Sequence, residues 1–106
     1  MLLVENMTGV GHAYHLLVVR VPAPARARIR HRLGLVGIET GLHYPVPCHL
    51  MTPYRAYARG PLPIAERTAE QIVSLPLFPH MTVGQVDRVC QELKELMTAE
   101  ADTDVA

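Results

Sequence analysis

The chain has 106 residues, the size of one compact domain, and 49% of them are hydrophobic, enough for one core. Ten basic and ten acidic residues cancel, which argues against a nucleic-acid-binding protein, because such proteins carry a basic patch. No apolar run approaches the roughly 20 residues that span a bilayer. The apolar residues 1–4 lack a basic flank and a cleavage site. We therefore expect one cytoplasmic domain over residues 1–106, with a core at 10–97 and a frayed acidic tail at 98–106.

The first half of the chain predicts two strands separated by a helix. Residues 12–20 are rich in β-branched and aromatic side chains, which is typical of a strand covered on both faces. A short helix follows, capped by Gly34, because apolar residues recur every four positions. Residues 36–43 alternate and predict a second strand with a small, partly polar face. The helix stripe consists of Ala25, Ile29 and Leu33.

The second half predicts a rigid loop and two helices. Prolines hold residues 44–53 extended, and a helical turn is expected at 54–58. Pro63 suits the first position of a helix that ends before Pro76. The order β-α-β-loop-α-α predicts an α+β fold, a small two-layer sandwich with helices packed on a short, mostly antiparallel sheet. The last helix has a capping box at Thr82 and Gln85 and an apolar face of Val86, Val89, Cys90, Leu93, Leu96 and Met97.

Several residue clusters could bind metal or anions, but a simpler interpretation stands beside each. His12 and His15 would face opposite sides of a strand, so they do not predict a metal pair. Cys48 and Cys90 lack CxxC spacing and are expected as free, partly buried thiols. Five basic residues on the first helix could hold a phosphate or an acidic partner, or could form a solvated face. They are Arg26, Arg28, Arg30, His31 and Arg32.

The proline-fixed loop is the favoured place for ligand contact. His43, Tyr44 and His49 stand close together there, and rigid loops on a scaffold often carry binding groups. With Glu39 they are also candidate acid–base groups, because histidine titrates near neutral pH. His43 and His49 with Cys48 lack a fourth ligand and a known zinc spacing, so no metal is expected.

Three collinear segments resemble one protein family. TGLHYPVPCHLMTPY at 40–54 is similar to the pattern tGIHYPvPlHlqpaY of the DegT/DnrJ/EryC1/StrS aminotransferases. HAYHLLVVR at 12–20 and LPIAERTAEQIVSLPLFPHMTVGQVDRV at 62–89 also look like segments of that family. The resemblance covers roughly residues 10 to 97 and implies the C-terminal small domain of a pyridoxal-phosphate (PLP) enzyme of fold type I. Many members aminate nucleotide-linked keto-sugars for antibiotics and surface polysaccharides.

The resemblance also implies where a site would lie. In the family, the loop matching His43, Tyr44 and His49 faces the substrate cleft between two domains, and the strand of Tyr14 and Arg20 approaches it. The large domain carries the lysine that binds PLP. The single lysine here, Lys94, matches no cofactor motif and is expected at the surface, so an independent PLP aminotransferase is not expected.

Three functions remain open from the sequence. The chain could be a repurposed ligand-binding or accessory protein, or a small cofactor-independent enzyme, in a natural-product pathway such as antibiotic biosynthesis or in an amino-sugar pathway. It could be a subunit that completes a separate PLP-binding domain, or an inactive remnant. PLP is expected only if a large-domain partner completes the site, and the chain alone needs no cofactor. A homodimer or such a partner is expected to cover the exposed apolar face.

Overall fold

The computed structural model describes residues 2–3, 9 and 11–105 and contains a three-stranded antiparallel sheet. Strand β1 is Leu2–Leu3, β2 is Leu17–Arg20 and β3 is Ile72–Leu75, with β2 in the centre. β2 and β3 pair with Leu17 opposite Leu75 and Arg20 opposite Ile72. Of the apolar residues 1–4, only 2 and 3 lie inside the described part.

Three helices complete the α+β fold, and the expected fold class is confirmed. They are α1 at Arg26–Leu35, α2 at Pro63–Gln71 and α3 at Val83–Val105. α1 packs against α3 and β3, and α2 lies against β2. Within the described residues, no helix is long and apolar enough to cross a membrane. The core consists of Val19, Val21, Ala25, Ile29, Leu33, Ile38, Val73, Val89 and Leu93.

The first strand is shorter than predicted. Residues 11–16 form no strand, and the ladder with β3 begins only at Leu17. Tyr14 has a φ of 51°, and its N–H donates to Nδ1 of His12 over 2.7 Å. A local side-chain bond of this kind competes with strand pairing, because it uses a donor that the ladder would need.

The second strand was predicted in the wrong place. Residues 36–43 form a loop with one isolated bridge, from Gly41 to Ser74, and β3 is the strand that pairs with β2. The loop is fixed instead by arginines: Arg88 donates to the carbonyl of Val36, and Arg30 donates to both oxygens of Thr40. The sequence Ile-Val-Ser-Leu at β3, which the pattern predicts as the end of a helix, is rich in residues that favour strands.

The helix ends are partly as expected. Thr82 and Gln85 form the predicted capping box, with the Gln85 N–H donating to Oγ1 of Thr82 over 3.1 Å and the reciprocal bond at 2.9 Å. α1 runs one residue past Gly34, and the left-handed turn falls at Gly37, with φ 83°. Because glycine adopts that conformation without steric cost, Gly37 ends the helical turn.

Two further expectations needed correction. The loop at 44–53 is not simply extended, because short 3-10 turns form at Cys48–Leu50 and Thr52–Tyr57. α3 continues beyond residue 98, where a frayed tail was expected, and Glu100 pairs there with Arg28. Ala106 lies outside the described residues.

Candidate functional site

His43 is held against β3 by two neighbours. Its Nδ1 lies 2.8 Å from Oγ of Ser74, which is 5% exposed. Gly41 exchanges two backbone hydrogen bonds with Ser74, at 2.9 and 3.0 Å. A Cβ at Gly41 would lie 2.7 Å from Cε1 of His43, so only glycine leaves room for the ring in this position.

Tyr44 and His49 line one shallow hollow of about 470 Å³ beside α2. Tyr44 also meets the His43 ring edge-on, with 5.4 Å between ring centroids, so the three predicted loop residues are neighbours. The His49 side chain is 11% exposed, and its Nε2 lies 3.5 Å from Oε2 of Glu66. Oε2 of Glu66 also accepts the N–H of Leu62 over 2.7 Å, which fixes the carboxylate at the start of α2.

The chain around this hollow carries many exposed apolar side chains. We call it the 44–64 surface. Apolar groups in such number on one stretch of chain are typical of a surface that packs against another domain or protein. Its members are Tyr44, Val46, Leu50, Met51, Tyr54, Tyr57, Leu62 and Ile64.

The other three candidate residues make their recorded contacts outside this loop. Arg20 donates twice to Oε1 of Gln71, at 2.7 and 3.1 Å, and joins β2 to the end of α2. Tyr14 is exposed, and its ring lies 4.5 Å from that of His12 between centroids, tilted by 34°. Glu39 lines a different hollow of about 500 Å³, formed with the 76–81 loop and α3. The structure therefore does not bring Glu39 together with His43 and His49.

The arginines of α1 serve mainly to hold the fold together. Arg26 donates to the carbonyl of Ala69 in α2, and Arg30 donates to Thr40. Arg28 makes two bonds to the Glu100 carboxylate, with Nε to Oε1 at 2.7 Å. Because Arg26, Arg28 and Arg30 already have partners, these three guanidinium groups form neither an open phosphate site nor a purely solvated face.

The Arg28–Glu100 pair predicts a pH-dependent stability. The hydrogen bond from Arg28 lowers the pKa of Glu100, and the charges of Arg28 and Arg32 lower it further. A lowered carboxyl pKa stabilises the fold above the group's ordinary value of 4.5, and the effect is lost as pH falls through the folded-state pKa. Urea midpoints of wild type and Glu100→Gln should therefore differ at pH ~7 and converge in acid. Glu95→Gln on the same helix is the control, and a gap that widens in acid would contradict the assignment.

Metal binding and thiol chemistry depend on which side chains come together in the described part of the chain. No group of three or more metal-binding side chains is found among residues 11–101. Cys48 and Cys90 are both free thiols, and both are exposed rather than partly buried as expected. Cys90 falls outside the buried face of α3 because Val89 and Leu93 occupy it.

Lys94 does not fit the role of a PLP-binding lysine. It is exposed on α3, in a hollow that it shares only with residues of the same helix. PLP sites need a lysine inside a cavity with partners for the phosphate and the ring nitrogen. No aromatic or arginine side chain lines this hollow, so the residues present do not form such a site. Its lining residues are Asp87, Cys90, Gln91, Lys94, Glu95 and Thr98.

Sequence reasoning missed Ser74 as part of the site. Ser74 is the only buried polar residue found within the described ranges, and it contacts His43 directly. A single hydroxyl inside the apolar run Ile-Val-Ser-Leu was the available signal, because buried polar groups need a partner.

Comparison with known proteins identifies similar sequences over nearly the whole chain. The profile of the DegT/DnrJ/EryC1/StrS aminotransferase family matches residues 2–94. The chain is 42% identical over 84 residues to the dTDP-3-amino-3,4,6-trideoxy-alpha-D-glucose transaminase of Streptomyces venezuelae, covering 77% of this chain and 22% of that enzyme. The chain thus spans about a quarter or less of the length of the curated relatives that we compared.

Solved structures lead to the same family. The aminotransferase TlmJ from Streptoalloteichus hindustanus matches with a TM-score of 0.77 and 32% identity, covering 88% of this chain and 24% of TlmJ. NtdA from Bacillus subtilis, solved with bound cofactor PMP, matches with a TM-score of 0.71 and 30% identity, covering 82% of this chain and 21% of NtdA.

Proposed function

The chain belongs to the DegT/DnrJ/EryC1/StrS aminotransferase family, and on that premise we propose that it forms the small domain of a PLP-dependent sugar aminotransferase. The cofactor-binding domain would then be supplied from outside these 106 residues, since the chain covers only 22% of a full-length relative. One observation carries the proposal: the family match covers residues 2–94, yet the single lysine, Lys94, is exposed and has no cofactor cradle. A lysine supplied from elsewhere is therefore required for PLP chemistry.

The geometry of the loop supports a role beside the substrate. His43 and Tyr44 are exposed, and Ser74 fixes the His43 ring. These groups lie next to the 44–64 surface. A partner domain docked on that surface would enclose them in a cleft, where hydrogen bonds to a ligand are stronger because water is excluded. When bound by that partner, PLP would supply the transamination chemistry. The present chain would supply contacts to a nucleotide-linked sugar.

The cofactor requirement gives a direct test. We expect the purified chain, mixed with PLP, to show no absorbance of a lysine-bound cofactor, and a mixture with the complementary domain to show it together with transamination of a nucleotide-linked keto-sugar. Lys94→Ala is the control and should change neither result. Cofactor binding by the chain alone that Lys94→Ala abolishes would contradict the proposal.

A second function, a ligand-binding homodimer, is favoured by the hollow beside Glu39. Its volume of about 500 Å³ lies within the usual range of small-molecule pockets. Phe78 and Met81 supply apolar walls, and Glu39 and Arg88 supply charge. A second copy would then cover the 44–64 surface. This function predicts a stable dimer that binds small molecules without PLP, a result that differs clearly from the first proposal.

A further inference from the structure

We infer that Ser74 is a positioning residue, which holds neutral His43 in the tautomer that carries its proton on Nε2. His43 then presents a hydrogen-bond donor, rather than a base, to whatever binds beside Tyr44. The functional meaning rests on the proposed function, because it needs a ligand in the cleft. The tautomer itself is a property of the chain alone.

The Ser74 hydroxyl donates the hydrogen bond that joins it to His43. It is one donor and an acceptor, and its residue is buried in the central part of β3. Its only hydrogen-bond partner found within residues 11–101 is Nδ1 of His43, at 2.8 Å. If His43 donated to the serine, the hydroxyl proton would be left buried without an acceptor. Because buried donors are nearly always paired, the hydroxyl donates and Nδ1 accepts.

The other ring nitrogen of His43, Nε2, then carries the proton. A neutral histidine with an accepting Nδ1 carries its proton on Nε2. No partner for Nε2 of His43 is found among the residues that the structure describes, and the side chain is exposed. The free N–H group suits an oxygen acceptor on a ligand, such as a phosphate, carbonyl or sugar hydroxyl oxygen. Because Nε2 already carries a proton in this tautomer, it cannot accept one from the ligand.

Backbone hydrogen bonds and the absence of a side chain at Gly41 keep the His43 ring in place. The two backbone bonds between Gly41 and Ser74 fix the distance between the strand and the loop. The missing side chain of Gly41 provides the space for the ring, since a Cβ would come within 2.7 Å of Cε1 and 3.3 Å of Nδ1 of His43. Gly41 and Ser74 therefore act together on the orientation of His43.

The tautomer can be measured by long-range ¹H–¹⁵N correlation spectra of the chain labelled on histidine nitrogens. At about pH 8.5, above the usual histidine range, we expect an unprotonated Nδ1 and a protonated Nε2 for His43. Ser74→Ala should move the Nδ1 resonance toward its protonated position as the second tautomer becomes populated. Ser74→Thr retains the hydroxyl, so its His43 resonances should match those of the wild type.

A pair of glycine variants separates positioning from general stability. Gly41→Ala should displace the ring and reproduce the spectrum of Ser74→Ala. Gly34→Ala is the control, because a Cβ there meets nothing within 4 Å. A protonated Nδ1 in the wild type, or a His43 signal unchanged by both Ser74→Ala and Gly41→Ala, would overturn the inference. These spectra need no partner, so a failure to find the complementary domain would leave their outcome unaffected.

Discussion

Replacing Leu33 by alanine is expected to cost about 2–5 kcal/mol of unfolding free energy. Leu33 is 0% exposed and lies in the core cluster between α1 and its neighbours. Its truncation leaves a cavity that the surrounding side chains fill only in part. Since domains are stable by roughly 5–15 kcal/mol, the loss is a large share of the total. Urea unfolding followed by circular dichroism measures it.

Leu35→Ala is the matched control, on the same helix and with the same change in side chain. Leu35 is 70% exposed, so its replacement should change stability by no more than about 0.5 kcal/mol. Equal losses of unfolding free energy in Leu33→Ala and Leu35→Ala would contradict the packing of α1, because the helix would then have to bury a different face.

Replacing Tyr57 by alanine is expected to weaken binding of the cofactor-binding partner at least ~30-fold, the effect of losing about 2 kcal/mol at a hot spot. Tyr57 is 80% exposed and belongs to the 44–64 surface. Tyrosine is enriched among residues that dominate interfaces, since it combines a large apolar ring with a hydrogen-bonding hydroxyl. Titration of the chain with its partner, followed by calorimetry, gives the dissociation constant.

Val83→Ala is the control for this second variant. Val83 is 77% exposed at the start of α3 and lies outside the 44–64 surface, so its change should leave affinity unaltered. Both variants should melt at nearly the wild-type temperature, because neither side chain is buried. An unchanged affinity of Tyr57→Ala for the partner would mean that Tyr57 does not contribute to the interface.

The helices could be predicted because their signals are local. Pro63 at the start of α2, the capping box at Thr82 and the stripe of Ile29 and Leu33 on α1 each act within one or two turns of chain. These signals led to the correct helices, although the ends of α2 and α3 were displaced. The predicted end of α3 at residue 98 came too early, because the Arg28–Glu100 contact, which supports the later turns, crosses between two helices.

The sheet could not be predicted to the same extent, because pairing depends on distant residues. Residues 36–43 alternate as a strand would, but Arg30 and Arg88 hold them as a loop. β3 pairs with β2 across more than 50 positions of sequence, and no local pattern encodes that choice. The same limitation hid the contact between His43 and Ser74, which joins the predicted loop to the strand that was missed.

The measurement that tests the central claim most directly is the composition and mass of the complex recovered when the tagged chain is isolated from its native host. We predict a complex that contains a lysine-bearing, PLP-binding domain. In that complex, the backbone amides of the 44–64 surface and those of the partner domain facing it should be protected from hydrogen exchange. A homodimer without PLP, with the 44–64 surface buried between two copies, would contradict the claim and would favour the ligand-binding dimer instead.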